Sequence, residues 1–381
     1  MEFHIKNTVI YSLSSHQDTF NKVAAFDLDS TIITTKSGKT FPIDKDDWVF
    51  WNDNVKNVLY ECYNNCYKIV VFTNQRYLLN PTKGKINEQD FFDKIRNIQK
   101  ALNIDFDIFI STADDNYRKP MTGMWQLFLE LTKIKVDYKH SFYCGDAAGR
   151  EKGWMKGKKK DFSDADINFA HNIGVKFEIP ENIFKLVGEK DVEYQSKSIY
   201  HTDLDLDKLR KSKHHLKVEP SKKPEMIMVI GRQGSGKSVF SKEILECPTF
   251  NNYEYINRDV CKTQASCLKK VNIAIKSGKS VWIDNTHPDR KSREDYIKIA
   301  KKNDLHVTVY MMDIPELLSK HLNHMRVMKS SGKVDKIPEV AYRVYNKRYQ
   351  APNLDEGIDK IINVPFSYKG KNEYFMYHYT F

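Results

Sequence analysis

The stretch Met226-Ile227-Met228-Val229-Ile230-Gly231-Arg232-Gln233-Gly234-Ser235-Gly236-Lys237-Ser238 decides the architecture of the second half of the chain. Five consecutive apolar residues make a strand, and the glycine-rich loop at their C-terminal end runs into a helical segment. The same pattern stands upstream, where Val23-Ala24-Ala25-Phe26 runs into Asp27-Leu28-Asp29-Ser30-Thr31. In both places a polar approach precedes a short apolar strand, and a loop suited to phosphate follows it. Each reads as the first strand of its own α/β domain.

Working outward, further strands are expected at Lys68–Thr73, Phe106–Ser111 and Ser141–Cys144, alternating with helices at Val55–Asn64, Glu88–Leu102 and Gly123–Leu131. In the second half, strands at Glu254–Asn257, Ser280–Asp284 and His306–Met311 alternate with helices after Lys237, over 262–277 and over 289–303. Alternation of this kind predicts two doubly wound α/β domains with parallel sheets. The basic stretch with Lys208, Arg210, Lys211, Lys213, Lys217, Lys222 and Lys223, punctuated by Pro220 and Pro224, reads as a linker. The expected organisation is an extension over 1–22, a first domain over 23–188, a linker over 189–223 and a second domain over 224–381.

Composition agrees with two folded domains. The chain has 381 residues, 40% of them hydrophobic and 12% aromatic, beyond the roughly 250–300 residues at which a single core stops growing. The longest apolar runs are strand-sized, so no membrane span is expected, and the opening Met1-Glu2-Phe3-His4-Ile5-Lys6-Asn7 does not read as a signal peptide. An intracellular protein follows as the expectation. The six scattered cysteines show neither C-x-x-C nor zinc-finger spacing and read as reduced, mostly buried thiols. Net charge is +11, which suits a polyanionic partner and equally suits a solvated basic surface.

Asp27 and Asp29 stand two apart just past an apolar strand, so in extended geometry both face the same side, where a nucleophile and a proton donor can meet one phosphate. Alone, the pair also fits a solvated turn. Thr73 at the end of the next strand, Lys119 in Arg118-Lys119-Pro120 and Asp146 in Gly145-Asp146 complete an ordered set at successive strand ends. That set resembles the haloacid dehalogenase superfamily of phosphatases. Carboxylate attack on phosphorus calls for Mg²⁺ to offset charge repulsion, expected on Asp27, a backbone carbonyl near Asp29, and Asp146. Thr73 and Lys119 would hold the phosphoryl oxygens, and Asp29 would protonate the leaving oxygen and later activate water, by way of an aspartyl-phosphate.

Gly231-x-x-x-x-Gly236-Lys237-Ser238 between a strand and a helix satisfies the P-loop pattern in its required context. The amides of Gly231, Gly234, Ser235 and Gly236 are expected to cradle ATP phosphates, Lys237 to reach the β and γ oxygens, and Ser238 to ligate a second Mg²⁺. Asp284, after another strand, reads as the Walker B-like acid. Asp259 reads either as the base toward an acceptor hydroxyl or as the N-cap of the following helix. Arg326 either closes over the transferring phosphate or belongs to a solvated helix face.

Taken with Thr34-Thr35-Lys36-Ser37-Gly38, Phe72–Gln75, Arg118–Trp125, Gly145–Arg150, Lys158–Phe162, Asn257–Asp259, Ile283–Thr286 and Gln350-Ala351-Pro352, these residues make the chain similar to the polynucleotide kinase 3′-phosphatase family from near Val23 to near the C-terminus. The resemblance implies a bifunctional DNA end-healing enzyme that removes 3′-phosphates and phosphorylates 5′-hydroxyls. Asp27 would be the nucleophile, Asp29 the acid/base and Asp259 the base toward the 5′-hydroxyl. DNA ends are the implied partners, with an RNA end-healing role or a decayed nucleic-acid-binding adaptor as the alternatives. A monomer is expected, nuclear if cellular and cytoplasmic if viral. The lysines of Lys156-Gly157-Lys158-Lys159-Lys160 suit either nuclear import or a DNA-facing patch.

Three departures from the family pattern stand out. Ser30 replaces a glycine, Arg76–Pro81 replaces a glycine-containing segment, and His324 stands where a further basic residue is expected. The residues before Val23 are too few for a forkhead-associated domain, so no phosphopeptide partner of that kind is expected.

Overall fold

Burial along the central strands explains the layering of both halves. The computed structural model describes residues 1–14, 20–79, 86–330, 333–370 and 373–380, with the backbone alone for 201 and 202. Ala24 and Phe26 pack into one apolar cluster while Val23 and Ala25 pack into another. Met226, Met228 and Ile230 likewise separate from Ile227 and Val229. Successive side chains of a strand point to opposite faces, so a strand apolar at every position must lie inside a sheet covered on both sides.

The chain forms two compact units, Met1–Thr202 with Met376–Phe381, and Asp203–Phe375. The first contains β1 (His4–Lys6), β2 (Val9–Ser12), β3 (Lys22–Phe26), β4 (Ile33–Thr34), β5 (Val49–Phe50), β6 (Tyr67–Asn74), β7 (Asp107–Ser111), β8 (Phe142–Cys144) and β9 (Lys176–Glu178). Its main sheet has the order β1-β2-β7-β6-β3-β8-β9, while β4 and β5 form a separate pair. From β7 to β9 all neighbours are parallel; β1 and β2 add an antiparallel hairpin at the edge. The second unit has β10 (Glu225–Ile230), β11 (Tyr253–Asn257), β12 (Ser280–Asp284), β13 (His306–Met311) and β14 (Lys360–Asn363). Their order is β11-β12-β10-β13-β14, parallel throughout.

In each sheet the first parallel strand, β3 or β10, lies between later strands that continue in opposite directions. A crevice therefore opens beyond its C-terminal end, the place where doubly wound folds bind ligands. Asp27 follows β3 directly, and Gly231 follows β10 directly.

The structure redraws several sequence boundaries. Of the stretch read as an extension over 1–22, residues 15–19 lie outside the described residues, and 1–14 build the sheet edge: Asn7, at φ 57°, turns β1 into β2, and Val9 and Ile10 are fully buried. The unit boundary falls at Thr202 and Asp203, inside the stretch read as linker, since buried Ser198 and Tyr200 belong to the first unit and Leu216 and Val218 pack on the core of the second. The helix expected over 262–277 is interrupted: Lys262 adopts φ 63°, and Thr263 caps a new helix, Gln264–Lys276, by accepting from the Ser266 amide at 3.1 Å. All six cysteines are free thiols, but only Cys144, Cys261 and Cys267 are buried. Among the described residues no helix is long and apolar enough to cross a membrane.

The last residues return to the first unit. Asn172 Nδ2 donates to the carbonyls of Pro120 and His378, both at 2.8 Å. The Tyr379 amide donates to Tyr200 Oη at 2.9 Å, and the Tyr379 side chain is buried. The chain end thus braces the segment that follows Lys119.

Candidate active sites

Register assembles the first site. Phe26 pairs with Val71 and with Cys144, so Asp27, Thr73 and Asp146 leave the same end of three neighbouring strands. Lys119 reaches the group from the loop before the helix Gly123–Thr132. Its backbone is clamped by Asn74, which accepts from the Lys119 amide at 3.0 Å and donates to its carbonyl at 3.2 Å. The Lys119 ammonium then donates to Asp27 Oδ1 at 2.5 Å, to Tyr143 Oη at 2.7 Å and to Asp166 Oδ1 at 2.8 Å.

Asp166 was not anticipated. It is buried in the first turn of the helix Ala165–Ile173, held by Tyr143 Oη at 2.9 Å and the Ala147 amide at 3.0 Å. A methyl group at Gly145 would come within 2.5 Å of its carboxylate, which explains the glycine before Asp146. The signal was faint: an aspartate in an otherwise apolar helix start, twenty residues past Asp146, looks like an ordinary first-turn acid.

Asp27, Asp146 and Asp166 place ligand oxygens within 4.8 Å of one another. Burial pushes the Asp27 carboxyl up to about 7; Lys119 opposes the shift, and Asp166 and Asp29 add to it. Burial, with Asp166, Asp27 and Asp161 nearby, holds Asp146 well above the ordinary carboxylate range against the opposing effect of Lys119. Burial works against the Lys119 ammonium too, but Asp166 and Asp27 outweigh it and raise its pKa. Three hard oxygen donors around one ammonium are an anionic surplus that fits a divalent cation of the Mg²⁺ type. The Asp29 side chain lies outside that set. It accepts from Gln75 Nε2 at 2.7 Å and from the buried Lys94 ammonium at 3.4 Å. Gln75 also donates to Thr73 Oγ1 at 3.0 Å and so ties Thr73 to Asp29. Lys94 and Gln75 carried no role in the sequence reading; both matter only once β6 and the helix Glu88–Leu102 meet β3.

Ser30 occupies the left-handed region at φ 62°. The loop therefore keeps a conformation that glycine adopts freely, at a cost serine must bear. Of the Arg76–Pro81 segment, Arg76 pairs with Asp114 at 2.6 Å, while residues 80 and 81 lie outside the described residues.

In the second unit, Lys237 is buried and donates to the carbonyls of Gly231 at 2.9 Å and Arg232 at 2.8 Å. Burial lowers its pKa to about 8, against the raising effect of Asp284 and Asp259. Gly234 has φ 74°, and a methyl group there would meet the Ser319 carbonyl at 2.8 Å. The Ser319 hydroxyl donates to the Gln233 carbonyl and pins the loop from the helix Glu316–Lys329. Ser235 Oγ is buried without a hydrogen-bond partner among the described residues. An orphaned hydroxyl, a buried lysine and the amides of Gly234 and Gly236 ahead of a helix N-terminus fit a nucleotide's phosphates, whereas the Gly231 and Ser235 amides, expected to join them, donate instead to the carbonyls of Thr286 and Arg232, both at 3.3 Å.

Asp284 is buried at the end of β12, where its Oδ2 accepts from Ser238 Oγ at 2.6 Å, Tyr255 Oη at 2.7 Å and Asn257 Nδ2 at 2.9 Å. That bond places Ser238 and Asp284 together, as a P-loop metal site requires. Asp259 is not the N-cap: Asn257 Oδ1 accepts from the amides of Asp259 at 2.8 Å and Val260 at 3.2 Å, leaving the exposed Asp259 carboxylate to other uses. Arg326 is exposed and donates to Asn323 Oδ1 at 3.1 Å and the Asp335 carbonyl at 3.3 Å. No hydrogen bond or ion pair joins it to the phosphate loop among the described residues. Arg232, within the loop, is the cation that does engage neighbouring elements, through Glu316 at 3.4 Å and Asn346 at 3.3 Å. Burial pushes His324 down to about 3, so it supplies no charge at neutral pH.

The first unit thus has the fold and buried acid–lysine centre of a carboxylate-dependent phosphohydrolase, and the second those of a P-loop phosphotransferase. Comparison with known proteins narrows the class. Residues 22–184 match the family model described as polynucleotide kinase 3 phosphatase. A bifunctional polynucleotide phosphatase/kinase of Schizosaccharomyces pombe is 34% identical over 346 residues, spanning 91% of this chain and 80% of its own. A protein of Acanthamoeba polyphaga mimivirus to which the same two activities are ascribed is 38% identical over 368 residues, spanning 91% and 85%. A polynucleotide 3′-phosphatase of Saccharomyces cerevisiae, 30% identical over 239 residues, spans 48% of this chain and 96% of its own. The chain belongs to the family of bifunctional polynucleotide phosphatase/kinases.

Proposed function

We propose that this enzyme prepares broken DNA for sealing, its first unit removing 3′-phosphates and its second phosphorylating 5′-hydroxyls from ATP. What carries the reading is the presence in one chain of two separate phosphate centres: the buried Asp27–Lys119–Asp166 cluster with Asp29 beside it, and the Lys237 loop with Ser238 bonded to Asp284.

In the first reaction an Asp27 oxygen attacks phosphorus and the bond to the 3′ oxygen breaks. Asp29 gives its proton to that oxygen, which leaves as the 3′-hydroxyl. Asp29 then takes a proton from water as the water oxygen attacks the aspartyl-phosphate, releasing inorganic phosphate and restoring Asp27. Lys119 and Thr73 hold the phosphoryl oxygens where charge accumulates. Asp27, Asp146 and the backbone carbonyl of Asp29 would hold Mg²⁺, which when bound offsets the repulsion between carboxylate and phosphate; Asp166 fixes Lys119 and adds to the anionic field.

In the second reaction Asp259 takes the proton of the 5′-hydroxyl while its oxygen attacks the γ-phosphorus, and the bond to the β-phosphate oxygen breaks to release ADP. Lys237 and the loop amides hold the β and γ oxygens. A second Mg²⁺ would be held by Ser238 beside Asp284. Arg326 keeps a place in this scheme only as a residue that would have to leave Asn323 and Asp335 to reach the phosphates.

The test is a nicked duplex carrying 3′-phosphate and 5′-hydroxyl, with ATP and Mg²⁺, beside an RNA analogue. Asp27→Asn is expected to abolish phosphate release and leave 5′-labelling within severalfold; Lys237→Ala is expected to do the converse. Loss of both activities in either folded variant overturns the assignment, and preference for the RNA analogue overturns the DNA role.

A further inference from the structure

Beyond Asp146 the chain runs through a loop that is fastened on one side and bare on the other. Asp161 Oδ2 accepts from the Ala148 amide at 3.1 Å, the Arg150 amide at 2.9 Å and Arg150 Nε at 2.7 Å. The Ser163 carbonyl accepts from the Gly149 amide at 3.1 Å, and Arg150 Nη2 donates to the Asp146 carbonyl at 2.8 Å. Both neighbours of Phe162 are therefore tied to the segment that bears Asp146. Phe162, between them, turns outward with 96% of its surface exposed.

The residues ahead of it are also held in place. The Asp161 amide donates to the Arg150 carbonyl at 2.9 Å, the Gly153 amide to the Lys158 carbonyl at 3.3 Å, and the Arg150 guanidinium lies 3.8 Å from the centre of the Trp154 ring. On this braced loop Lys156, Lys158, Lys159 and Lys160 stand exposed. Lys158 comes 3.9 Å from Glu181, whereas Lys156, Lys159 and Lys160 have no ion pair among the described residues.

A scattered apolar side chain at a surface is ordinary. A phenyl ring almost wholly in water, fixed at both flanks and preceded by unpaired ammonium groups beside a phosphate centre, combines the two parts of a single-strand binding track: cations for the backbone and an aromatic face for a base. We propose that Phe162 is a stacking platform for a base near the 3′ end of the substrate, with Lys159 and Lys160 on the adjoining phosphates. The proposal rests on the reading of the first unit as a polynucleotide 3′-phosphatase. Stacking accepts every base, which suits an enzyme that meets ends of any sequence.

The experiment is a cycle on the full chain, crossing wild type and Phe162→Ala with a 3′-phosphorylated single strand whose last two nucleotides carry bases or are abasic. Binding is read by anisotropy at fixed salt, and stacking by quenching of 2-aminopurine at those positions. Phe162→Ala is expected to weaken binding of the base-bearing strand about 5- to 150-fold, the range of one lost base–aromatic stack. Wild type should bind the abasic strand as weakly as the variant does, and the variant should lose little more on it. Phe162→Trp should restore binding and quenching; Phe162→Leu should not. Independent, additive losses, or full rescue by leucine, overturn the stacking role. If wild type releases no phosphate from either strand while hydrolysing p-nitrophenyl phosphate, the polynucleotide reading itself is at fault and the proposal falls with it.

Discussion

Replacing Lys119 by methionine keeps the length of the side chain and removes the one positive charge at the centre of the first site. The ammonium lies 2.5 Å from Asp27 and 2.8 Å from Asp166, and all three side chains are buried. Removing one partner of a buried pair costs about 3–5 kcal/mol, because the remaining charge stays in the interior uncompensated. In a unit of this size each kcal/mol lowers Tm by about 2–4 °C, so the first unit should melt about 6–20 °C earlier. The loss should also depend on pH in a definite direction. Asp27 stands at about 7, above its ordinary 3.8, so between those values the unfolded chain has released a proton that the folded chain keeps, and stability falls as pH rises. Lys119 opposes that shift, and its removal carries the window above 7 at about 1.4 kcal/mol per pH unit. The deficit of Lys119→Met should therefore be larger at pH 8.5 than at pH 6.5. Calorimetry of metal-free protein in chelator reads this in the first unit's transition, with the kinase transition as the internal reference. The phosphatase rate should fall about 10²–10³-fold, as when one preorganised donor to the developing charge is lost. A Tm change under 2 °C, equal at both pH values, would refute the claim that Lys119 compensates the carboxylate cluster.

Asp259→Asn should lower kcat for 5′-phosphorylation about 10²–10⁴-fold with ATP affinity within about twofold, whereas Asn257→Ala should cost about 1 kcal/mol of stability; a near-normal single-turnover rate in the first variant would send the search for the base elsewhere. Because burial holds Lys237 near 8, ATP binding should weaken as pH rises above 8, by up to about tenfold per unit, and a flat titration calorimetry profile to pH 9.5 would show that the lysine stays charged. Ser30→Gly should stabilise the first unit by about 0.5–1 kcal/mol by relieving the left-handed backbone, and an unchanged melting curve would count against that strain. Tyr379→Ala should destabilise the first unit by about 3–5 kcal/mol while leaving the kinase transition in place, although residue 379 follows the kinase unit in sequence; a shift confined to the kinase transition would contradict the packing.

What the sequence determined by itself is whatever local periodicity and a local loop can encode. Val23–Phe26 and Met226–Ile230 announced buried strands because each position is apolar. Gly231–Ser238 announced phosphate chemistry because its spacing alone fixes which groups share a turn, whereas Asp27 and Asp29 did so only with Thr73, Lys119 and Asp146 in order behind them. Ser280–Asp284 and His306–Met311 were legible to the residue for the same reason. Only the tertiary structure brought Asp166 to Lys119 and Lys94 to Asp29. Those pairs span 47 and 65 residues, and the helices that carry them look amphipathic or apolar until the sheet stacks them over β3. It also decided that Asn257, not Asp259, caps the helix, a choice between two polar residues two apart that depends on backbone angles at the strand end. The edge hairpin β1–β2 and the return of Tyr379 escaped sequence reading because a four-residue strand and a short tail have too few positions to show a period. Their burial is supplied by partners more than a hundred residues away, Ser111 for Val9 and Tyr200 for Tyr379, and no local pattern can encode a partner at that distance.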